Sequence, residues 1–347
     1  MKKDRILVVR FSSLGDIILL TPLFREIKKV FPDSSVDFLT STAFADICQN
    51  NPHIDEIIAL DRKKGNSELS RVVDLCQNKQ YDLILDAHQS LRSRFLLWRW
   101  FGAFLPFKKN IVRINKRSFK RNLLLITGIN IMKNSLSQRE EYCSLIKDFT
   151  GPLLIETKTE LFPGEKEQKR VKELIQKKQL NGKKVVALGV GASFPGKCWP
   201  KENFLTLTRL LQDKGFSVIF LGGKEDQEPG WILNQCTEKP VNLAGELSFL
   251  ETAEVLKYCQ LVISNDSAVV HFGEAMGIPA LAVFGPTVRE FGYAPFLEQS
   301  KIVEVDLDCR PCSRNGKGKC RKKVKRECLK LVSVEMVMAD VKEVLKI

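Results

Sequence analysis

The stretch from Ser264 to Thr287 limits what this chain can fold into more than any other part of it. It reads as the end of a strand, a short loop at Asn265-Asp266-Ser267, a helix closed by Gly277, and a second strand ending at Gly285-Pro286-Thr287. Strands joined through a helix belong to a parallel sheet. An Asp followed by a Ser just before a helix supplies N-cap chemistry and leaves backbone N–H groups directed outward. Such a helix start attracts phosphate.

The same alternation fills the rest of the 347 residues, enough for two domains that each bury a core. In the first half, strands are expected over 5–11, 36–40, 54–60, 81–86 and 111–114, with helical spacing between them. Around Gly151-Pro152 the pattern relaxes into a polar stretch that reaches Pro163-Gly164, which marks the domain boundary. The second half repeats the pattern with strands over 185–190, 216–221, 241–243 and 261–264, and an amphipathic helix over 334–345. Two such halves, with loops at strand C-termini, predict nucleotide binding in a cleft between domains. The expected division is 1–155, 165–332 including a cysteine-rich segment at 309–328, and a terminal segment 333–347 with the option of packing back on the first domain.

At 44% hydrophobic and 28% charged the chain has an ordinary globular composition, and no apolar run is long enough to span a membrane. The early apolar run Ile6 to Val9 is cut short by Arg10, so it reads as a first strand and not a signal peptide. A cytoplasmic location follows as the expectation, with the ten cysteines reduced or metal-bound. The formal charge of +14 sits in two places: ten Lys or Arg and no acid between Arg92 and Arg121, and ten against Glu327 alone between Arg310 and Lys330. Seven aromatics lie within the first (Phe95, Trp98, Trp100, Phe101, Phe104, Phe107 and Phe119), which a merely solvated basic face does not explain.

Three motifs can carry chemistry. In Ser12-Ser13-Leu14-Gly15-Asp16, Gly15 permits close backbone approach, and Asp16 either caps the next helix or serves as a general base; position alone favours the cap. In the loop 189–200, Lys197 is either an ordinary surface lysine or a phosphate partner, and the loop is not a P-loop. In the third, Asp266, Ser267 and His271 surround a helix start, with a packed histidine at least as plausible as a catalytic one.

Together these motifs resemble glycosyltransferase family 9, the bacterial lipopolysaccharide heptosyltransferases. The residues that carry the resemblance are S-S-L-G-D-I-I-L-L-T-P at 12–22, Y-D-L-I-L-D-A-H-Q-S-L-R-S at 81–93, G-A-S-F-P-G-K-C-W-P at 191–200 and N-D-S-A-V-V-H-F-G-E-A-M-G-I-P-A-L-A-V-F-G-P-T at 265–287. The resemblance implies an α/β chain of GT-B architecture, two Rossmann-like domains facing an inter-domain cleft. It implies an inverting transfer that needs no metal, from ADP-L-glycero-D-manno-heptose to Kdo–lipid A or to a heptose already on it. By position, Asp16 matches the family's base. Ser193, Lys197, Glu225, Leu247, Asp266, Ser267, Ala268 and His271 match its donor contacts, while Ser13, Gly15, Arg92 and Ser93 are plausible acceptor contacts. Phe194 and Ala268 stand where some members have Thr and Gly. The basic-aromatic stretch then becomes a candidate for the anionic inner-membrane surface, giving a protein peripheral to its cytoplasmic face.

Other readings stay open: another nucleotide sugar or acceptor, or a non-catalytic glycan or sugar-nucleotide binder. No nucleic-acid module is visible, and no G-x-G-x-x-G follows the first strand, which disfavours a nicotinamide enzyme. Cys309, Cys312, Cys320 and Cys328 offer either a structural zinc site or, with no metal, free thiols or disulfides; no cofactor is expected in catalysis.

Overall fold

The computed structural model describes residues 3–101, 111–150, 155–318, 320 and 322–347, the side chains of Trp98, Trp100 and Phe101 excepted. Phe104 and Phe107 of the basic-aromatic stretch, and the Gly151-Pro152 break, lie outside the described residues. Two compact units form, residues 1–116 with 138–162 and residues 117–137 with 163–347.

In the first unit, strands β1 (Arg5–Val9), β2 (Ser35–Ser41), β3 (Glu56–Leu60), β4 (Leu83–Asp86) and β5 (Ile111–Arg113) make a sheet in the order β3-β2-β1-β4-β5. Every pair is parallel. Ile6 to Val9 are fully buried, as strands covered on both faces require. From β1 the chain winds outward through β2 and β3, then returns to the other side of β1 at β4. The loops after β1 and β4 therefore part at a topological switch point, where such sheets bind ligands. The helix Leu14–Val30 that follows β1 is apolar on nearly every side, with Ile17, Ile18, Leu20, Leu23, Phe24 and Ile27 fully buried. A helix of that kind belongs in an interior, so its first turn is rigidly placed. The first strand ends at Val9, two residues before the expected Phe11.

In the second unit, β6 (Val185–Gly189), β7 (Ser217–Leu221), β8 (Val241–Asn242), β9 (Cys259–Asn265), β10 (Ala280–Val283) and β11 (Lys301–Val303) are ordered β11-β10-β9-β6-β7-β8. These pairs are parallel too. The switch point now falls between β6 and β9, whose last residues include the register pair Gly189 and Ser264. The stretch 264–287 folds as its sequence indicates, with the helix Ala268–Ala275 between β9 and β10. Gly277 adopts φ +77°, and the bond from Ile278 N–H to the Gly273 carbonyl at 2.9 Å closes the helix. Gly273 lets the helix sit on β9, because a Cβ there would meet Val262 Cγ2 at 2.7 Å.

Two assignments differ from expectation. The terminal helix Val334–Leu345 packs within the second unit. Val334, Val337, Met338 and Val341 are buried in the core of the second, with Leu329 and Val332 just before them. Its apolar face meets the Rossmann-like sheet nearest in sequence. Residues 117–137, expected in the first domain, belong to the second unit. They are held there by polar bonds: Arg121 Nη2 donates to the Phe291 carbonyl at 2.9 Å, and Asn130 Nδ2 to Glu290 Oε1 at 2.9 Å. No described helix is long and apolar enough to cross a membrane.

Candidate active site

At the first switch point Asp16 lies in the opening turn of its helix and is 7% exposed. Both carboxylate oxygens are engaged. Oδ2 accepts from Ser13 Oγ at 2.6 Å and Ser13 N–H at 3.2 Å, and pairs with Arg10 Nη2 at 2.8 Å. Oδ1 accepts from the Tyr142 hydroxyl at 2.8 Å. So Asp16 does form the capping contact, and it also has a charge partner that a cap alone does not need. Burial by itself would raise its pKa. The Arg10 charge, with the Ser13 and Tyr142 hydrogen bonds, outweighs burial and holds the carboxyl well below the usual carboxylate range.

Arg10 is fixed as firmly as the group it serves. Its Nε donates to the Ser12 carbonyl and its Nη1 to the Ala87 carbonyl, each at 2.6 Å, and the guanidinium lies 5.3 Å from the Tyr142 ring centre. Neither Arg10 nor Tyr142 was among the expected site residues. Arg10 was legible as an odd charge ending an apolar strand. Tyr142 carried no signal, because it lies 126 residues from Asp16.

Around this carboxylate the other expected residues divide. Ser13 is exposed and Gly15 half-buried beside Asp16. Arg92 is exposed after β4. Ser93 is fully buried, and its hydroxyl bonds to Asp86 Oδ2 and the Ser90 carbonyl, so its contact is with the 86–93 loop itself. His88, in that loop, has its pKa pushed down to about 3 by burial and by the nearby Arg10 and Lys116 charges. It is therefore a neutral imidazole at ordinary pH.

At the second switch point Lys197 Nζ lies 2.6 Å from Asp266 Oδ2 and donates to the Asp266 carbonyl at 3.3 Å. Thr287 Oγ1 donates to the same carboxylate at 2.7 Å. Ser267 caps the helix, accepting from Val269 N–H at 3.3 Å, and leaves Ala268 in its first turn. Two loops thus meet, and Asn265 ties them together. Its amide donates to the carbonyls of Val190 at 2.6 Å and Gly191 at 3.2 Å, and accepts from Trp199 N–H at 2.8 Å. Asn265 is a supporting residue absent from the expected set. His271 is 5% exposed in the next turn. Ser193 lies exposed in the 190–197 loop, and Glu225 exposed after β7. The neighbouring Asp226 is the better anchored of the two acids. Its carboxylate accepts from Gly223 N–H at 2.8 Å and packs so closely on Gly191 that a Cβ there would meet Oδ1 at 2.1 Å. Leu247 lines a pocket of about 420 Å³ with Arg170, Glu173, Leu174, Lys177 and Glu246.

The cysteine-rich segment stands behind the Lys197 loop. The Gly316 carbonyl occupies the space a Cβ on Gly196 would need, approaching it to 2.3 Å, and Arg326 Nη1 donates to the Pro195 carbonyl at 3.2 Å. Burial raises the Cys328 thiol to about 11, with Cys312, Cys309 and Cys320 adding to the effect. Among the described residues, however, no three His, Cys, Asp or Glu side chains are grouped to hold a metal.

Residues 71–322 match the family model described as glycosyltransferase family 9 (heptosyltransferase). Lipooligosaccharide heptosyltransferase 2 of Haemophilus influenzae is 22% identical over 316 residues, 86% of this chain and 88% of that one. The crystal structure of a family 9 glycosyltransferase from Veillonella parvula superposes with a TM-score of 0.81 at 22% identity, covering 100% of this chain and 99% of that one. The Escherichia coli heptosyltransferase WaaC with ADP gives a TM-score of 0.66 at 18% identity, with 99% and 98% covered. The fold is GT-B.

Proposed function

The chain belongs to glycosyltransferase family 9, and from that premise we propose an inverting, metal-independent heptosyl transfer. The donor is ADP-L-glycero-D-manno-heptose and the acceptor is Kdo–lipid A or heptosyl-Kdo–lipid A. The WaaC structure named with ADP supports the nucleotide, and the relatives named for lipooligosaccharide support the acceptor class. The enzyme works at the cytoplasmic face of the membrane that holds this acceptor.

The observation that carries the reading is Asp16: a buried carboxylate kept ionised at a switch point. In the proposed step an acceptor hydroxyl attacks the anomeric carbon and gives its proton to Asp16. The bond from that carbon to the diphosphate oxygen breaks, and ADP leaves with the electron pair. A carboxylate with so low a pKa is a weak base, so the proton moves late, once the new C–O bond has acidified the hydroxyl. Charge growing on the diphosphate is met by Lys197 and by the N–H groups of Ser267 and Ala268 at the helix start. In that role the phosphate takes the place that Asp266 Oδ2 holds beside Lys197.

The test is acceptor-dependent release of ADP from ADP-heptose. A protein that binds the nucleotide sugar yet never turns it over is a binder, and an Asp16→Ala protein that transfers at a near-normal rate ends the base assignment. Ala268 at the first helical position, where some family members have Gly, favours a second reading in which a different sugar occupies this site. A screen of nucleotide sugars against defined core acceptors separates the two.

A further inference from the structure

The helix Ser118–Thr127 is apolar on two opposite sides, and only one of them is used. Leu124 is buried. Next to it the Arg121 guanidinium lies 6.0 and 5.9 Å from the ring centres of Phe291 and Tyr293. Phe119, Leu123 and Ile126 are spaced i, i+4 and i+7 and share the other side. There Phe119 is 77% exposed and Ile126 81% exposed. The chain that follows continues the pattern, with Ile129, Ile131 and Leu136 exposed as well.

The helix cannot simply roll to hide this stripe. Arg314 Nη2 donates to the Ser118 carbonyl at 3.2 Å, Asn130 is bonded to Glu290, and Arg117 Nη1 donates to the Leu136 carbonyl at 2.6 Å. Single exposed aliphatics are ordinary. Five large apolar side chains exposed between residues 119 and 136, on one anchored segment, form a patch that calls for an occupant.

Charge indicates which occupant. From residue 117 to residue 137 the chain carries four Lys or Arg and no Asp or Glu. Lys120 and Lys133 are exposed within the patch itself. A bilayer with anionic headgroups needs only apolar side chains to take into its interface and cations beside them, and this segment offers both. We propose that the outward stripe of the 118–127 helix, continued by residues 129–136, docks the protein on an anionic lipid bilayer. The inference deepens the functional reading above, since it rests on the acceptor being a membrane lipid.

The experiment is co-sedimentation of the whole protein with phosphatidylglycerol-containing vesicles, against phosphatidylcholine vesicles. The wild type is expected to bind the former and to lose binding as salt rises. The Phe119→Ser/Ile126→Ser protein should bind about tenfold more weakly for each side chain removed. The Lys120→Glu/Lys133→Glu protein should lose roughly fivefold per charge at low salt and little at high salt. Both variants change exposed positions, and an unchanged circular dichroism melt shows that the fold survives. Vesicle binding that ignores the apolar pair overturns the proposal. So does a wild-type dimer in light scattering that the same pair dissociates, because the stripe would then belong to a second copy of the chain. Transfer to a water-soluble core fragment without acyl chains should be unaffected by Phe119→Ser/Ile126→Ser. If the wild type also fails to transfer, the functional reading falls and the vesicle result still decides the docking surface.

Discussion

The two switch points each hold an ion pair, but the partner to which the proposed function gives a role is reversed. In the first unit it is the anion, Asp16, and its cation is an arginine locked by two backbone carbonyls. In the second it is the cation, Lys197, whose partner Asp266 is held by Thr287. A guanidinium offers a planar fork that several acceptors can fix at once, whereas an ammonium is a point charge on a flexible stem. The first pair is thus built to persist, keeping the carboxylate charged and oriented. The second rests on a more mobile cation, and under the proposed function a phosphate would displace the carboxylate from that one lysine.

The sharpest way to break this comparison is to remove the permanent anion. Asp16→Asn keeps the size and the helix cap but cannot take a proton, and transfer should fall roughly 10²- to 10⁴-fold, while ADP affinity by calorimetry stays within a few-fold of wild type. Loss of ADP affinity in that variant would contradict the separation of roles. Lys197→Ala should do the opposite, weakening ADP roughly tenfold to a hundredfold with the fold intact. Arg10→Gln tests persistence. Without its cation the Asp16 pKa climbs toward the ordinary value, so an acid limb in the pH profile of kcat/KM should appear at higher pH than in the wild type, with a rate loss of about tenfold. An unmoved limb would show that Arg10 serves packing alone. Tyr142→Phe removes one hydrogen bond and should give the smallest effect, a few-fold in rate with the limb moved in the same direction.

His88 sharpens the picture from the side of stability. Its pKa in the folded protein is near 3, below the ordinary 6.5, so the unfolded chain binds more protons in that window. The stability that depends on its neutral form is complete above pH 6.5 and is lost as pH falls toward 3. Urea midpoints should therefore drop less steeply over this range in His88→Asn than in the wild type. Equal slopes would place the pH sensitivity elsewhere in the first unit.

Much of this architecture is legible in the sequence. The apolar runs that became β1, β4, β6 and β9 ended where Gly, Ser and Asp gathered, and those loops are the ones now found at the switch points. Residues 117–137 were misplaced because a short helix with apolar residues on two sides does not say which of them meets the core. The terminal helix was left with an option for a related reason, since its apolar face would suit either sheet.

The sequence by itself determined the alternation of strand and helix, the two Rossmann-like halves, and the ends at which their functional loops lie. Those features arise from periodicity and capping within a few residues. Only the tertiary structure decided what each functional charge touches. Asp16 is set by Tyr142, 126 residues away, and Lys197 by Asp266, 69 positions further along. Such contacts depend on how separate segments pack, and no local pattern encodes which distant side chain will complete them.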